Sequence, residues 1–161
     1  MRTNNAKVKN IIISVYFILI VFAILLATVF SAFQDLTPNP YLTFFIIVAF
    51  FIFLLLFFHA VSRYFEYDSD GFKVIVINRG MVLSDYFNYR EKRVEFEKEQ
   101  LVRFKFFNFY FYRRLVLHLK NGEVKTKKEK FNVTLVAKKK RKYIKQSLSK
   151  MIKQNRKLYH S

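Results

Sequence analysis

Two stretches of the chain, residues 11–33 and 41–62, carry no charged side chain. In the first, Ile12, Ile13, Val15, Phe17, Ile18, Leu19, Ile20, Val21 and Phe22 follow one another almost without a break, and only Ser14, Tyr16, Thr28 and Ser31 interrupt the apolar run. An α-helix rises 1.5 Å per residue, so roughly 20 residues cross a hydrocarbon layer of about 30 Å. Both stretches therefore predict transmembrane helices, and helical hydroxyls can bond back to their own backbone. The first run exceeds the ~7–15 apolar residues of a cleaved leader, and Phe30, the third residue before a cut after Ala32, is too bulky for that place. In the joining segment, residues 34–40, Pro38 and Pro40 deny helix continuation, and so short a link predicts an antiparallel hairpin.

Orientation follows from charge. Arg2, Lys7 and Lys9 precede the first span and Arg63 follows the second, whereas the hairpin tip holds only Asp35. The positive-inside rule predicts a multi-pass cell (inner) membrane protein with both termini cytoplasmic. His59 lies near the cytoplasmic end of the second span with no acidic partner in either helix, which predicts an uncharged interfacial histidine. Neither span contains Asp, Glu, Lys or Arg, which argues against a transporter or channel pathway.

From Arg63 the period changes to two. Tyr64, Glu66 and Asp68 alternate with Phe65 and Tyr67, residues 68–71 supply turn chemistry, and residues 72–77 form a β-branched strand, so the pair predicts a hairpin. Residues 93–96, 101–106 and 112–119 predict further strands. Asn121-Gly122 predicts a tight turn, because Asn-Gly tolerates positive φ, with residues 124–128 returning. Then Val133, Val136, Ala137, Ile144, Leu148, Met151 and Ile152 recur at three- and four-residue steps. That predicts an amphipathic helix capped by Asn132 or Thr134. The predicted organisation is a tail and two-helix anchor over residues 1–62 and a basic α+β domain over residues 63–161. The domain is an antiparallel sandwich or barrel of about six to seven strands closed by a C-terminal helix.

A formal net charge of +18 beside 53% hydrophobic residues fits a chain whose apolar and basic parts are segregated. A basic excess favours anionic partners, phospholipid headgroups or nucleic acid. An A- and T-rich coding bias would enrich Lys, Ile, Phe and Tyr together, so charge alone names no partner. The absence of cysteine excludes disulfides, thiolate metal sites and Cys nucleophiles. Three glycines leave no glycine-rich phosphate loop, and His59, His118 and His160 are too scattered for a metal cluster or a His-based triad. Glu95, Glu97 and Glu99 fall at strand spacing, as a solvated, salt-bridged face would. No enzyme and no cofactor are expected.

Residues 67–72 (Tyr-Asp-Ser-Asp-Gly-Phe), 93–101 (Arg-Val-Glu-Phe-Glu-Lys-Glu-Gln-Leu) and 115–122 (Leu-Val-Leu-His-Leu-Lys-Asn-Gly), placed behind two membrane helices, resemble the bacterial membrane-anchored pleckstrin-homology-like (PH-like) proteins, including the YcxB-like group. The resemblance covers residues 63–153 and implies a scaffold or interaction module without an active site. It does not imply phosphoinositide binding at the first hairpin loop, which is acidic here through Asp68 and Asp70, and the helix tryptophan of eukaryotic members is missing.

Two candidate surfaces remain. Lys138, Lys139, Lys140, Arg141, Lys142 and Lys145 on the last helix predict contact with anionic headgroups, where each nearby Lys or Arg contributes about 1 kcal/mol. Phe107, Phe109, Tyr110, Phe111, Tyr112, Arg113 and Arg114 predict an interface, because so dense a run of aromatics cannot all face one core. Expected partners are membrane lipids and a protein or a second copy of the chain. An accessory subunit of a larger membrane complex is the alternative function, and nucleic acid the less favoured partner.

Overall fold

The computed structural model describes residues 1–29, 38–81, 91–121 and 125–158. The chain divides into two units, Lys7–Ala60 and the combination of Met1–Ala6 with Val61–Ser161.

The first unit contains helix α1 (Lys9–Thr28) and most of helix α2 (Pro40–Val61), both long and apolar enough to cross a membrane. Within α1, Ser14 Oγ donates to Asn10 O at 3.0 Å and Thr28 Oγ1 to Leu25 O at 2.8 Å, so these hydroxyls are satisfied inside their own helix. The α1 expectation extended to residue 33; residues 30–33 lie outside the described residues. Pro40 does more than break a helix: it is the first residue of α2, where its missing N–H is no loss. Asn39 caps that end, its Oδ1 accepting from Leu42 N at 3.3 Å. Phe22 stacks on Phe51 with centroids 5.5 Å apart.

In the second unit β1 (Arg2–Asn4), β2 (Arg63–Asp68), β3 (Lys73–Gly80) and β4 (Lys92–Glu97) form one antiparallel sheet in sequence order. Strands β5 (Leu101–Phe109), β6 (Tyr112–Asn121) and β7 (Lys125–Asn132) form a second antiparallel sheet, and helix α3 (Lys138–Leu158) follows. Alternation puts Phe65, Tyr67, Val74, Val76 and Phe96 of the first sheet into one core with Leu101, Leu115, Leu117, Leu119 and Phe131 of the second. Ile144, Leu148 and Met151 of α3 close that core.

Three expectations change. Residues 1–62 were expected to form tail and anchor together, yet Arg2–Asn4 pair with β2, from Arg2↔Asp68 to Asn4↔Glu66. A three-residue edge strand has too little alternation to show in sequence. Asn5 extends the pairing with its side chain, Oδ1 accepting from Phe65 N and Nδ2 donating to Arg63 O, each at 2.9 Å. Next, α3 begins at Lys138, not near Asn132 or Thr134. Those two side chains build a turn instead: Asn132 Oδ1 accepts from Thr134 N at 3.0 Å, and Thr134 Oγ1 accepts from Arg113 N at 2.9 Å. Finally, Glu99 leaves the strand for a 3-10 turn, Lys98–Gln100, while Glu95 and Glu97 remain in β4. The Asn-Gly turn falls partly outside the described residues, although Asn121↔Lys125 closes the β6–β7 ladder beside it.

Candidate functional site

Helix α3 holds ten Lys and Arg residues and no Asp or Glu in its 21 positions. Its apolar stripe fixes which of them face outward, and both ends are tied down. Asn155, a buried residue that composition gave no reason to notice, donates from Nδ2 to Lys98 O at 2.8 Å and Leu101 O at 3.0 Å. At the other end Lys140 Nζ donates to Asn4 O. In the middle, Ser147 Oγ is 2.9 Å from the buried Tyr67 hydroxyl.

With α3 so fixed, Lys138, Lys139, Arg141, Lys142 and Lys145 form one wall of a groove of about 1000 Å³, and Phe104, Lys105, Phe106 and Asn108 of β5 form the other. The groove combines an apolar floor, where Phe104 meets Phe106 edge-to-face at 6.0 Å, with five cationic side chains from α3 and no acidic one, while the Lys105 ammonium lies 5.9 Å from the Phe107 ring on the outer face of the sheet. Five of the six predicted basic residues thus converge. Lys140 does not, because the 100° step of the helix turns it toward β1.

Arg141 marks where the groove is electrostatically unfinished. It is half-buried and its Nη1 is buried without a hydrogen-bond partner. Burial and, second, the charge of Arg113 lower its pKa from the ordinary guanidinium value, which means that its surroundings disfavour the charge it carries. A negative charge in the groove would favour the guanidinium's charge.

The aromatic run forms the β5–β6 hairpin. Phe109↔Tyr112 is its last pair, and Tyr110-Phe111 make the turn. Tyr110 is 100%, Phe111 74%, Phe109 60% and Phe107 39% exposed. Tyr112 is half-buried under the Arg114 guanidinium, 5.2 Å from its ring centroid. Arg113 is anchored by its backbone to the turn before α3, its carbonyl accepting from Val133 N at 2.9 Å.

The outward positions of the second sheet make a further basic surface. The ladder rows place Arg103 beside His118 and Lys128, Lys105 beside Val116 and Lys130, and Phe107 beside Arg114. A bulge at Val102 shifts β5 by one residue, and that shift sends Arg103 outward while Phe104 and Phe106 face inward. Burial, then Lys128, Arg103 and Lys105, lower the pKa of His118.

No protein-family model, curated protein or solved structure matches the chain.

Proposed function

We propose that this chain is a non-enzymatic, PH-like binding module, anchored in the cell membrane by its helical hairpin with both termini cytoplasmic, and that its α3–β5 groove binds the anionic lipid headgroups of the inner leaflet. The observation that carries this reading is the groove itself: five α3 cations, a half-buried Arg141 among them, over an aromatic floor with no acidic residue in its lining. Two helices apolar enough to span a bilayer make a lipid surface the nearest polyanion. Sheets of four and three strands followed by a C-terminal helix support the PH-like part of the reading. A protein partner would then be recruited at the leaflet rather than through an active site.

The test uses the full chain, since β1 precedes the anchor and a fragment beginning at residue 63 would lack it. Hydrogen exchange is followed over residues 138–145 in nanodiscs of phosphatidylcholine alone and of phosphatidylcholine with phosphatidylglycerol. Protection in the anionic discs, lost in high salt as the Debye length falls from ~8 Å to ~3 Å, supports the reading. Neutralising Lys138, Lys139, Lys142 and Lys145 to Gln should remove about 1 kcal/mol each, abolishing the difference between the discs. Equal exchange in both discs at all salt concentrations overturns it.

A further inference from the structure

The β5–β6 hairpin tip lies outside the groove and the core. Phe109, Tyr110 and Phe111 are consecutive, and each is more than half exposed. Exposed aromatics at a turn are costly to leave in water, so their concentration at one point calls for an occupant. Residues 101–121 contain no Asp or Glu, and Lys105, Arg113 and Arg114 flank the tip. This charge opposes docking of a second copy through the same face. It suits an anionic surface, where aromatic rings settle at the level of the headgroups and Lys and Arg reach the phosphates. Asn108, which lines the groove, immediately precedes Phe109, so the two surfaces are continuous along β5.

We propose that Phe109, Tyr110 and Phe111 form a wedge that inserts into the interfacial layer of the same anionic leaflet whose headgroups occupy the α3–β5 groove. The inference rests on the lipid reading of that groove and adds a second, apolar element to it. Headgroup charge brings the face to the leaflet, and the tip then partitions below the phosphates. A β-hairpin is stiff enough to do this, because Asn108↔Arg113 and Phe109↔Tyr112 are paired up to the turn.

The chain has no tryptophan, so a single one reports on a single place. Tyr110→Trp, and separately Phe111→Trp as a second reporter, are made in the full chain and reconstituted into vesicles of phosphatidylcholine with phosphatidylglycerol. Insertion predicts a blue-shifted emission, shielding from iodide, and quenching by lipids brominated near the headgroup end of the acyl chain. Emission of a water-exposed indole, open to iodide and unaffected by brominated lipid, overturns the wedge. A blue shift without bromolipid quenching also overturns it, in favour of a second copy if the shift grows with protein density. A shift caused instead by added single-stranded oligonucleotide overturns it in favour of base stacking. The two proposals fail separately. Protection of residues 138–145 with no quenching at 110 or 111 removes the wedge alone. Quenching that is equal in neutral and anionic vesicles, with no headgroup-dependent protection, removes the groove reading and leaves the wedge.

Discussion

The two sheets share one core and one pattern of alternation, yet their outer faces differ in charge. On the first, Arg2, Lys73, Arg79 and Arg93 stand among Glu66, Asp68, Glu95 and Glu97, four against four. Several of them satisfy one another: Arg2 Nε donates to Glu66 at 2.7 Å, Arg93 Nε to Glu95 at 2.8 Å, and Arg79 lies 4.9 Å from the Tyr64 ring centroid. The described strand positions of the second face carry Arg103, Lys105, Arg114, Lys120, Lys128 and Lys130 and no Asp or Glu, six against none. Glu129, the acidic residue of β7, points inward, where Lys92 and Lys127 take it. A coding bias enriches lysine without regard to faces. The asymmetry between the sheets is what the proposed contact with an anionic leaflet requires of the second face and not of the first.

The comparison holds only while both sheets rest on one core, and the largest effect tests that. Phe131 of β7 is 1% exposed and meets Phe65 of β2 edge-to-face at 6.5 Å. Phe131→Ala should cost about 3–5 kcal/mol, a large share of the ~5–15 kcal/mol that holds a domain. Hydrogen exchange in detergent should show β2 and β7 opening together. If β7 alone opened, the sheets would be separate units and their faces could not be compared as one design.

Glu129→Gln comes next, because Glu129 joins the sheets through Lys92 of β4. Burial acts to raise its pKa, but the hydrogen bonds from Lys92 and Lys127 outweigh it and the pKa is lowered. A carboxyl lowered on folding contributes stability above its unfolded pKa, and that contribution is lost as pH falls through the folded value. The variant should lose about 1–2 kcal/mol near neutral pH, less than a fully buried pair because both lysines can rehydrate. Its unfolding should also respond less to acid than the wild type's; identical acid profiles would refute the assignment.

Much of this was legible in the sequence. Two charge-free runs mark α1 and α2, alternation marks β2 to β6, and the stripe Ile144, Leu148, Met151 marks the buried face of α3. What was not legible depends on contacts between distant residues. β1 becomes a strand only because β2 offers it an edge. Asn132 and Thr134 have the chemistry of helix caps, but Arg113, twenty-one positions before Thr134, engages the latter in a turn. The basic run on α3 was visible, whereas the groove was not, because its other wall is β5 and the bulge at Val102 decides which β5 residues face it.

Reversing charge on each outer face tests the contrast itself. Lys128→Glu with Lys130→Glu should change stability by no more than about 0.5 kcal/mol, since neither side chain is buried. The pair should nevertheless weaken protection of β5–β7 in anionic nanodiscs and flatten its salt dependence. Glu95→Lys on the first sheet breaks an exposed pair worth at most about 1 kcal/mol and should leave lipid-dependent protection unchanged. A gain of protection from Glu95→Lys, which makes the chain more positive, would mean that only total charge matters.

The smallest effect is the most diagnostic, because its sign differs between the two states of the domain. His118 sits between Arg103 and Lys128 on the basic face, and burial followed by Lys128, Arg103 and Lys105 hold its pKa below the ordinary histidine value. In the free domain the unfolded chain binds this proton more readily than the folded one. Its contribution to stability is therefore present above the ordinary histidine pKa of about 6.5 and is lost as pH falls toward the folded value. An anionic leaflet against the same face reverses the preference, because its negative potential favours imidazolium and a further positive charge near the surface is worth about 1 kcal/mol. Over one pH window, acid should thus weaken the fold in neutral detergent and strengthen protection of β6 in anionic nanodiscs. His118→Gln should flatten both trends. If both persist in the variant, another group titrates. If acid weakens the domain in anionic discs as it does in detergent, the outer face of the second sheet does not meet the leaflet, and the contrast between the two sheets has another origin.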